Sequence, residues 1–174
     1  MKAFTLLLLL CFSLAAASQL RSVTVQVSGL TCAMCSKAVQ KSLEQLSFIQ
    51  DVKPDLKTQE YAITFRENKP VSFAEIKKSI EAAGFSVARF QLNAHFDNAL
   101  IKAGQPVAFG TQRLYFLNAA NETLNGAKTL VIVEKGFLTA KALKNYCSDA
   151  QLKCLEPLKA ETPGQNYHVI ITPA

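Results

Sequence analysis

The sequence lacks the patterns that mark most enzymes and most nucleic-acid-binding proteins. It contains no paired carboxylates in a cleft-like pattern, no glycine-rich phosphate loop and no nucleophile elbow, so we expect no enzymatic activity. Its 174 residues carry a net charge of +6, but the basic residues are scattered over both halves of the chain. A nucleic-acid footprint concentrates them on one element, so we expect no nucleic-acid partner.

Apolar runs long enough to span a membrane are also missing. The longest apolar run, around residues 6–10, follows Lys2 and leads into three alanines at residues 15–17. A basic start, a short apolar middle and a small-residue end are typical of a cleaved signal peptide, which we assign to residues 1–18. A membrane-spanning helix needs about 20 apolar residues. We therefore predict a secreted chain, located in the bacterial periplasm, without stable membrane insertion.

Four cysteines follow the predicted leader: Cys32, Cys35, Cys147 and Cys154. Disulfides form and persist in exported proteins. Cys147 and Cys154 flank a short segment after a predicted helix, and we expect a disulfide between them. A second metal site there would require one of the two histidines, His95 or His168, to converge on this pair.

Cys32 and Cys35 are separated by two residues and stand between a strand-like stretch and a helical pattern that starts near Ser36. At such a turn both sulfurs can face one point. The amide groups of the helix start favour the thiolate form. Thiolates are soft ligands that suit Cu(I), and two sulfurs without a third nearby ligand argue against a closed structural zinc site.

The pattern around this pair predicts an α+β fold. In residues 23–27 and 61–65 the large apolar side chains fall on alternate positions, as in half-buried strands. In residues 39–46 the apolar side chains recur at helical spacing. Ser72 and Glu75 form a capping box at the start of a second helix, and Gly84 follows its end. The order over residues 19–92 is strand, helix, strand, strand, helix, strand.

This stretch resembles the heavy-metal-associated domain, the ferredoxin-like βαββαβ module of copper chaperones and copper-pumping ATPases. The resemblance lies in the Gly-Leu-Thr-Cys-Ala-Met-Cys sequence at residues 29–35, in Val39 and Leu43, and in the Ala-Ala-Gly-Phe sequence at residues 82–85. It implies that Cys32 and Cys35 are the metal ligands, and that Thr31 and Phe85 border the site. Leu30 departs from the family, which most often has methionine there.

The resemblance also bears on the ion and the partner. Neutral Thr31 stands where zinc-preferring members often carry an acidic residue, so the resemblance favours Cu(I) over Zn(II), with Hg(II) as an alternative. The expected partner is a metal-donor or metal-acceptor protein such as a copper-transporting ATPase. Mercury-binding periplasmic proteins are similar in motif and export. A cysteine pair of this spacing also occurs in thioredoxin-like oxidoreductases, and an interaction protein could carry it oxidised and idle.

The resemblance does not extend to the second half of the chain. Residues 95–174 are predicted to form a small β-rich domain with one short helix at residues 139–146. Strands are expected at residues 96–101, 112–117, 128–133 and 167–172, and Asn125-Gly126 is a strong signal for a hairpin turn. We predict that this domain supplies partner docking or stability.

Overall fold

The computed structural model describes residues 19–149 and 165–172. The strands in this part of the chain are β1 (Gln19–Ser28), β2 (Ile49–Asp55), β3 (Glu60–Phe65), β4 (Ser86–Ile101), β5 (Val107–Phe109), β6 (Gln112–Phe116), β7 (Glu122–Ile132) and β8 (Asn166–Thr172). The helices are α1 (Ala33–Glu44), α2 (Phe73–Ala82) and α3 (Ala140–Asp149). None of the helices in these ranges is long and apolar enough to cross a bilayer.

All eight strands belong to a single sheet in the order β2-β3-β1-β4-β7-β8-β6-β5. Neighbouring strands are antiparallel except for β6 and β8, which are parallel. The C-terminal strand β8 is inserted between β7 and β6. The last part of the described chain is therefore held inside the sheet rather than added at its edge.

The first six elements form the predicted ferredoxin-like βαββαβ arrangement, and the α+β class is confirmed. Val23, Val25 and Val27 of β1 are buried on the face that the two helices cover. Each helix supplies an apolar stripe, with Val39 and Leu43 on α1 and Phe73, Ile76 and Ile80 on α2. The apolar stripes of both helices face the same side of the sheet. They pack against the inward-facing strand residues and form one core with them.

Strand β4 joins the two halves of the chain. Its first part pairs with β1 and its later part with β7, and the strand continues through residues 92–95. We expected separate strands on either side of this junction, and the structure has a single long one. The division into domains at residues 19–92 and 95–174 stays a prediction, but the two parts share one sheet.

An aromatic cluster packs the two halves together beneath this sheet. The ring of Phe73 on α2 lies 5.4 Å from that of Phe90 on β4 and 5.3 Å from that of Tyr167 on β8. Phe137 contacts both Phe90 and Tyr167. Lys77 covers Phe137, with its Nζ 6.0 Å from the ring centroid. This lysine also pairs with Glu81 at 2.9 Å, so its charge is engaged within the fold.

The second half is β-rich with one helix, as predicted. Helix α3 begins one residue after Thr139, whose hydroxyl accepts a hydrogen bond from the Ala142 amide at 3.2 Å. The helix packs on the opposite face of the sheet from α1 and α2. Its Leu143 packs against a small cluster that contains Val131 of β7 and Ile170 of β8, together with Val133 and Leu138.

The prediction of a hairpin turn at Asn125-Gly126 is wrong. Both residues lie inside β7, opposite an irregularity in β4. Asn98, at φ +49°, and Asn125 exchange hydrogen bonds of 2.8 and 3.2 Å across this irregularity. The extra residue of this β-bulge belongs to β4, and the pairing of the distant strands β4 and β7 keeps Asn125-Gly126 inside a strand.

Two other predictions fall on residues that the structure does not describe. The predicted signal peptide occupies residues 1–18. The predicted disulfide involves the side chain of Cys147 and the whole of Cys154. Both stay predictions.

Candidate metal site

The candidate site is built on the turn that leads from β1 into α1. Gly29 follows the strand at φ +90°, a conformation that L side chains rarely adopt. A Cβ atom at this position would lie 3.7 Å from the ring of Phe85, so the ring closes one side of the turn. Leu30, the departure from the family pattern, packs against the core. The turn therefore delivers the next residues to the surface at the start of the helix.

The two thiols converge at this helix start. The sulfur of Cys32 lies 2.7 Å from the sulfur of Cys35, and it accepts a hydrogen bond from the Cys35 amide at 3.3 Å. Cys32 is thus the N-cap of α1, and Cys35 lies in the first turn. We expected the helix to start near Ser36, and the structure starts it at Ala33. The thiol occupies the position where serine or aspartate usually satisfies the first amides.

The two sulfurs differ in their electrostatic environment. The hydrogen bond from the Cys35 thiol, followed by that from the Cys35 amide, lowers the pKa of Cys32. The same thiol contact, followed by desolvation, raises the pKa of Cys35. The Thr31 side chain and backbone also hydrogen bond to Cys35 and oppose this rise in its pKa. Of the two cysteines, Cys32 is therefore the one that loses its proton first.

The residues around the sulfurs are unevenly exposed. Cys32 is exposed and Cys35 is partly covered. Two of the exposed large apolar residues flank the pair, Met34 at 75% and Leu56 at 59%, while Leu100 at 55% lies elsewhere. A pocket of about 310 Å³ lies beside Cys32, between the turn and Leu56 of the β2–β3 connection.

Hydrogen bonds from β3 and the turn before it hold both ends of the cysteine turn. The side-chain amide of Gln59 donates to the carbonyl of Leu30 at 2.9 Å. At the other end, the Tyr61 hydroxyl lies 2.9 Å from the Ser36 hydroxyl and donates to the Ser36 carbonyl at 3.2 Å. Desolvation raises the pKa of Tyr61, which keeps the hydroxyl protonated.

The structure brings some of the expected residues together and separates others. Thr31 and Phe85 lie at the cysteine turn, and their role at a metal site stays a prediction. His95 does not, because it pairs with Gln19 at the start of β1, whereas the turn follows the other end of that strand. At roughly 3.3 Å per residue, the strand separates them by about 30 Å. His168 is bound to Glu134 through its Nδ1, at 2.9 Å from the carboxylate.

Sequence reasoning missed three residues of this site: Gln59, Tyr61 and Leu56. The alternation of residues 61–65 predicts only that Tyr61 lies on the buried face of its strand. No local pattern connects it to Ser36, since the two are 25 residues apart in the chain. The only signal was the buried position of a residue that carries a hydroxyl, which needs a hydrogen-bond partner in a core.

The donor set of the candidate site is the two sulfurs of Cys32 and Cys35. Within residues 19–149 and 165–172, no group of three or more His, Cys, Asp or Glu side chains is placed to hold a metal ion. A pair of converging soft ligands fits a soft ion of low coordination number, and it does not meet the four ligands of a structural zinc site.

The similarity to known proteins lies in the part of the chain that carries the cysteine pair. The model of a family described as the heavy-metal-associated domain matches residues 24–86. The copper chaperone CopZ of Bacillus subtilis is 35% identical over 66 residues, which are 38% of this chain and 94% of the chaperone. The mercuric transport protein periplasmic component of Serratia marcescens is 31% identical over 65 residues, which are 37% of this chain and 70% of that protein.

A larger protein matches through the same segment. A probable copper-exporting P-type ATPase of Archaeoglobus fulgidus is 39% identical over 64 residues, or 37% of this chain. The match spans only 8% of the ATPase. The shared part is therefore the small module that carries the cysteine pair.

Proposed function

Because this chain belongs to the heavy-metal-associated domain family through residues 24–86, we propose that it binds Cu(I) between Cys32 and Cys35 and transfers the ion to a partner protein. The observation that carries the proposal is the convergence of two thiols, 2.7 Å apart, at an exposed helix start. Copper chaperones and copper-transporting ATPases are among the relatives, which supports a metal-donor or metal-acceptor protein of that kind as the partner.

Transfer would proceed by exchange of thiolate ligands. A cysteine of the partner loses its proton to solvent and forms a third sulfur–copper bond. One of the two original bonds then breaks, and the released thiolate takes up a proton. Copper stays Cu(I) throughout and is never free in solution. An exposed turn favours this path because the incoming sulfur can reach the ion without unfolding the domain.

Hg(II) is a second candidate cargo, supported by the similarity to a mercuric transport protein periplasmic component. Hg(II) is also a soft ion that two thiolates can hold. Zn(II) is less suited, since the described residues offer two ligands where a structural zinc site has four. A competition titration of the reduced protein, with each ion offered in turn, ranks the three.

The similarity to the mercuric transport protein periplasmic component, together with the signal peptide predicted from the sequence, supports a periplasmic location. An oxidising compartment requires the pair to be kept reduced or loaded with metal. If the protein were instead an interaction protein with an idle pair, freshly isolated chain would contain a Cys32–Cys35 disulfide and no metal. Thiol counting without reductant distinguishes the two states.

Direct transfer is the experiment that tests the proposal. Cu(I)-loaded full chain is mixed with a separately purified heavy-metal-associated domain of a copper-transporting ATPase, and the copper content of each is followed. A small-molecule Cu(I) chelator is added to capture any free ion. We expect the transfer rate to rise with acceptor concentration and the chelator to intercept little of the copper. Transfer that is independent of acceptor concentration and is captured by the chelator would contradict the proposal.

Leu56 gives a prediction about docking. This exposed leucine borders the pocket beside Cys32, so a partner that reaches the ion would cover it. We expect Leu56→Asp to slow transfer about tenfold, because the substitution places a charge in an interface that must exclude water. The affinity of Leu56→Asp for Cu(I), measured by competition with a chelator and without an acceptor protein, should stay within about twofold of wild type.

Leu100→Asp is the matched control, because Leu100 is also exposed but lies on the second half of β4. Its transfer rate should equal that of wild type. Equal slowing by both substitutions, or a loss of Cu(I) affinity in Leu56→Asp alone, would show that Leu56 does not act through docking.

A further inference from the structure

The cysteine turn is anchored at two points with an exposed segment between them. Residues 31–34 are exposed, whereas Leu30 is held by Gln59 and Ser36 is held by Tyr61. Cys35 directly precedes the second anchor, and Cys32 lies within the exposed segment. We infer that Tyr61 and Ser36 are positioning residues that hold Cys35 as the stationary ligand, so that Cys32 is the sulfur that moves during uptake and transfer. This inference rests on the proposed function.

The anchor at Ser36 is buried and fully paired. Ser36 is 3% exposed and Tyr61 is 1% exposed. Their hydroxyls are 2.9 Å apart, and the tyrosine also donates to the Ser36 carbonyl. A buried hydroxyl that loses its partner costs more than an exposed one, because water cannot replace the bond. Ser36 is therefore held firmly in the first turn of α1.

The sheet holds Tyr61, the other residue of this anchor, in place. Tyr61 lies on β3 between β1 and β2, where it pairs with Val25 and Pro54. A residue paired on both sides in a sheet has little freedom to follow a moving loop. The Tyr61 hydroxyl therefore transmits the position of the sheet to Ser36, and through the peptide bond to Cys35.

The side chain of Cys32 has more room than that of Cys35. The Ser36 amide holds the Cys32 carbonyl at 3.2 Å, but the Cys32 sulfur, which accepts hydrogen bonds from the Met34 and Cys35 amides, is exposed beside the 310 Å³ pocket. Cys35 does not line that pocket. There is thus space on the Cys32 side into which a sulfur can move and from which another can enter.

Metal uptake requires such a movement. With a metal–sulfur bond of about 2.3 Å, the length known for zinc thiolates, two sulfurs on opposite sides of one ion would lie roughly 4.6 Å apart. The sulfurs are 2.7 Å apart in the structure, so they must separate. Shifting the Cys35 backbone would strain the buried hydrogen bonds of the adjacent Ser36, whereas rotating the exposed Cys32 side chain toward the pocket gives up its cap on the helix start. The separation therefore occurs at Cys32.

Tyr61→Phe tests the inference, with Tyr167→Phe as its matched control. Tyr167 is also a buried tyrosine whose hydroxyl bonds to the backbone, at Ala74, but it lies in the aromatic cluster. The reduced, metal-free full chain is alkylated, and the rate at each cysteine is measured by mass spectrometry of its peptides. In wild type Cys32 should react faster than Cys35. In Tyr61→Phe the Cys35-to-Cys32 rate ratio should rise about fivefold, as expected for the loss of one buried hydrogen bond.

The matched control should lower the midpoint of urea unfolding by a comparable amount and leave this rate ratio unchanged. Ser36→Ala, which removes the same bond from the other side, should reproduce the rise and replaces Tyr61→Phe if that variant does not fold. An unchanged ratio in Tyr61→Phe or its replacement, or an equal rise in Tyr167→Phe, would overturn the inference. Because alkylation needs no metal, this result is separate from a failure of the wild type to bind Cu(I), which would overturn the proposed function.

Discussion

Replacing both Cys32 and Cys35 with serine is expected to lower the affinity of this protein for Cu(I) by far more than about 100-fold. Removing even an outer-shell partner of a metal ligand typically costs roughly 10- to 100-fold in affinity. The double substitution removes both soft ligands, and hydroxyl oxygens do not replace thiolates for a soft ion. Among the residues that the structure describes, no third group is positioned to compensate.

The measurement is a Cu(I) titration of the reduced full chain against a chelator of known affinity. Wild type should bind one ion per chain. Met34→Ala serves as the control, since this methionine carries another sulfur near the site but is 75% exposed. It should retain wild-type affinity. Equal binding by wild type and the double-serine variant would remove the basis for the proposed site.

The second large effect concerns stability. Phe73→Ala should lower the free energy of unfolding by about 3–5 kcal/mol, the usual cost of truncating a fully buried phenylalanine. Phe73 is completely buried and its ring contacts those of Phe90 and Tyr167. The cavity would therefore open at the contact between α2 and the strands of both halves. Since β4 runs through both halves, we expect the whole described fold to lose stability together.

Urea unfolding followed by circular dichroism and by tyrosine fluorescence checks this prediction. The midpoint should fall, with the two signals still coinciding in one transition. Leu100→Ala is the control, because a truncation at an exposed position should change the free energy of unfolding by no more than about 0.5 kcal/mol. Two separate transitions in wild type would show that the halves unfold independently, contrary to a shared sheet that acts as one unit.

Much of the metal module was predictable because its signals are local. Val23, Val25 and Val27 alternate within one strand, and the spacing of Phe73, Ile76 and Ile80 places them on one helix face. The Ser72 cap was also predicted, and its hydroxyl accepts a hydrogen bond from the Glu75 amide at 3.2 Å. Each of these features depends on residues a few positions apart, so the sequence alone contains the information.

Other features depend on residues far apart in the chain. The bulge at Asn98 in β4 forms opposite Asn125 of β7, and β8 lies between β7 and β6 although it comes last in the sequence. Local propensity cannot distinguish a bulge from a turn, nor can it specify which strands pair. The continuation of β4 was missed for the same reason, since its pairing with β7 decides where the strand ends.

The amino-acid sequence by itself determined the kind of site, two thiols at a strand-to-helix turn, because the cysteine spacing and the flanking periodicities are local. Only the tertiary structure decided what surrounds those thiols. It placed Tyr61 under Ser36 and Leu56 beside Cys32, and it kept both histidines away from the pair. The physical reason is that these contacts arise from the pairing of β3 with β1 and β2 and from the packing of α1 on the sheet, which bring distant residues together.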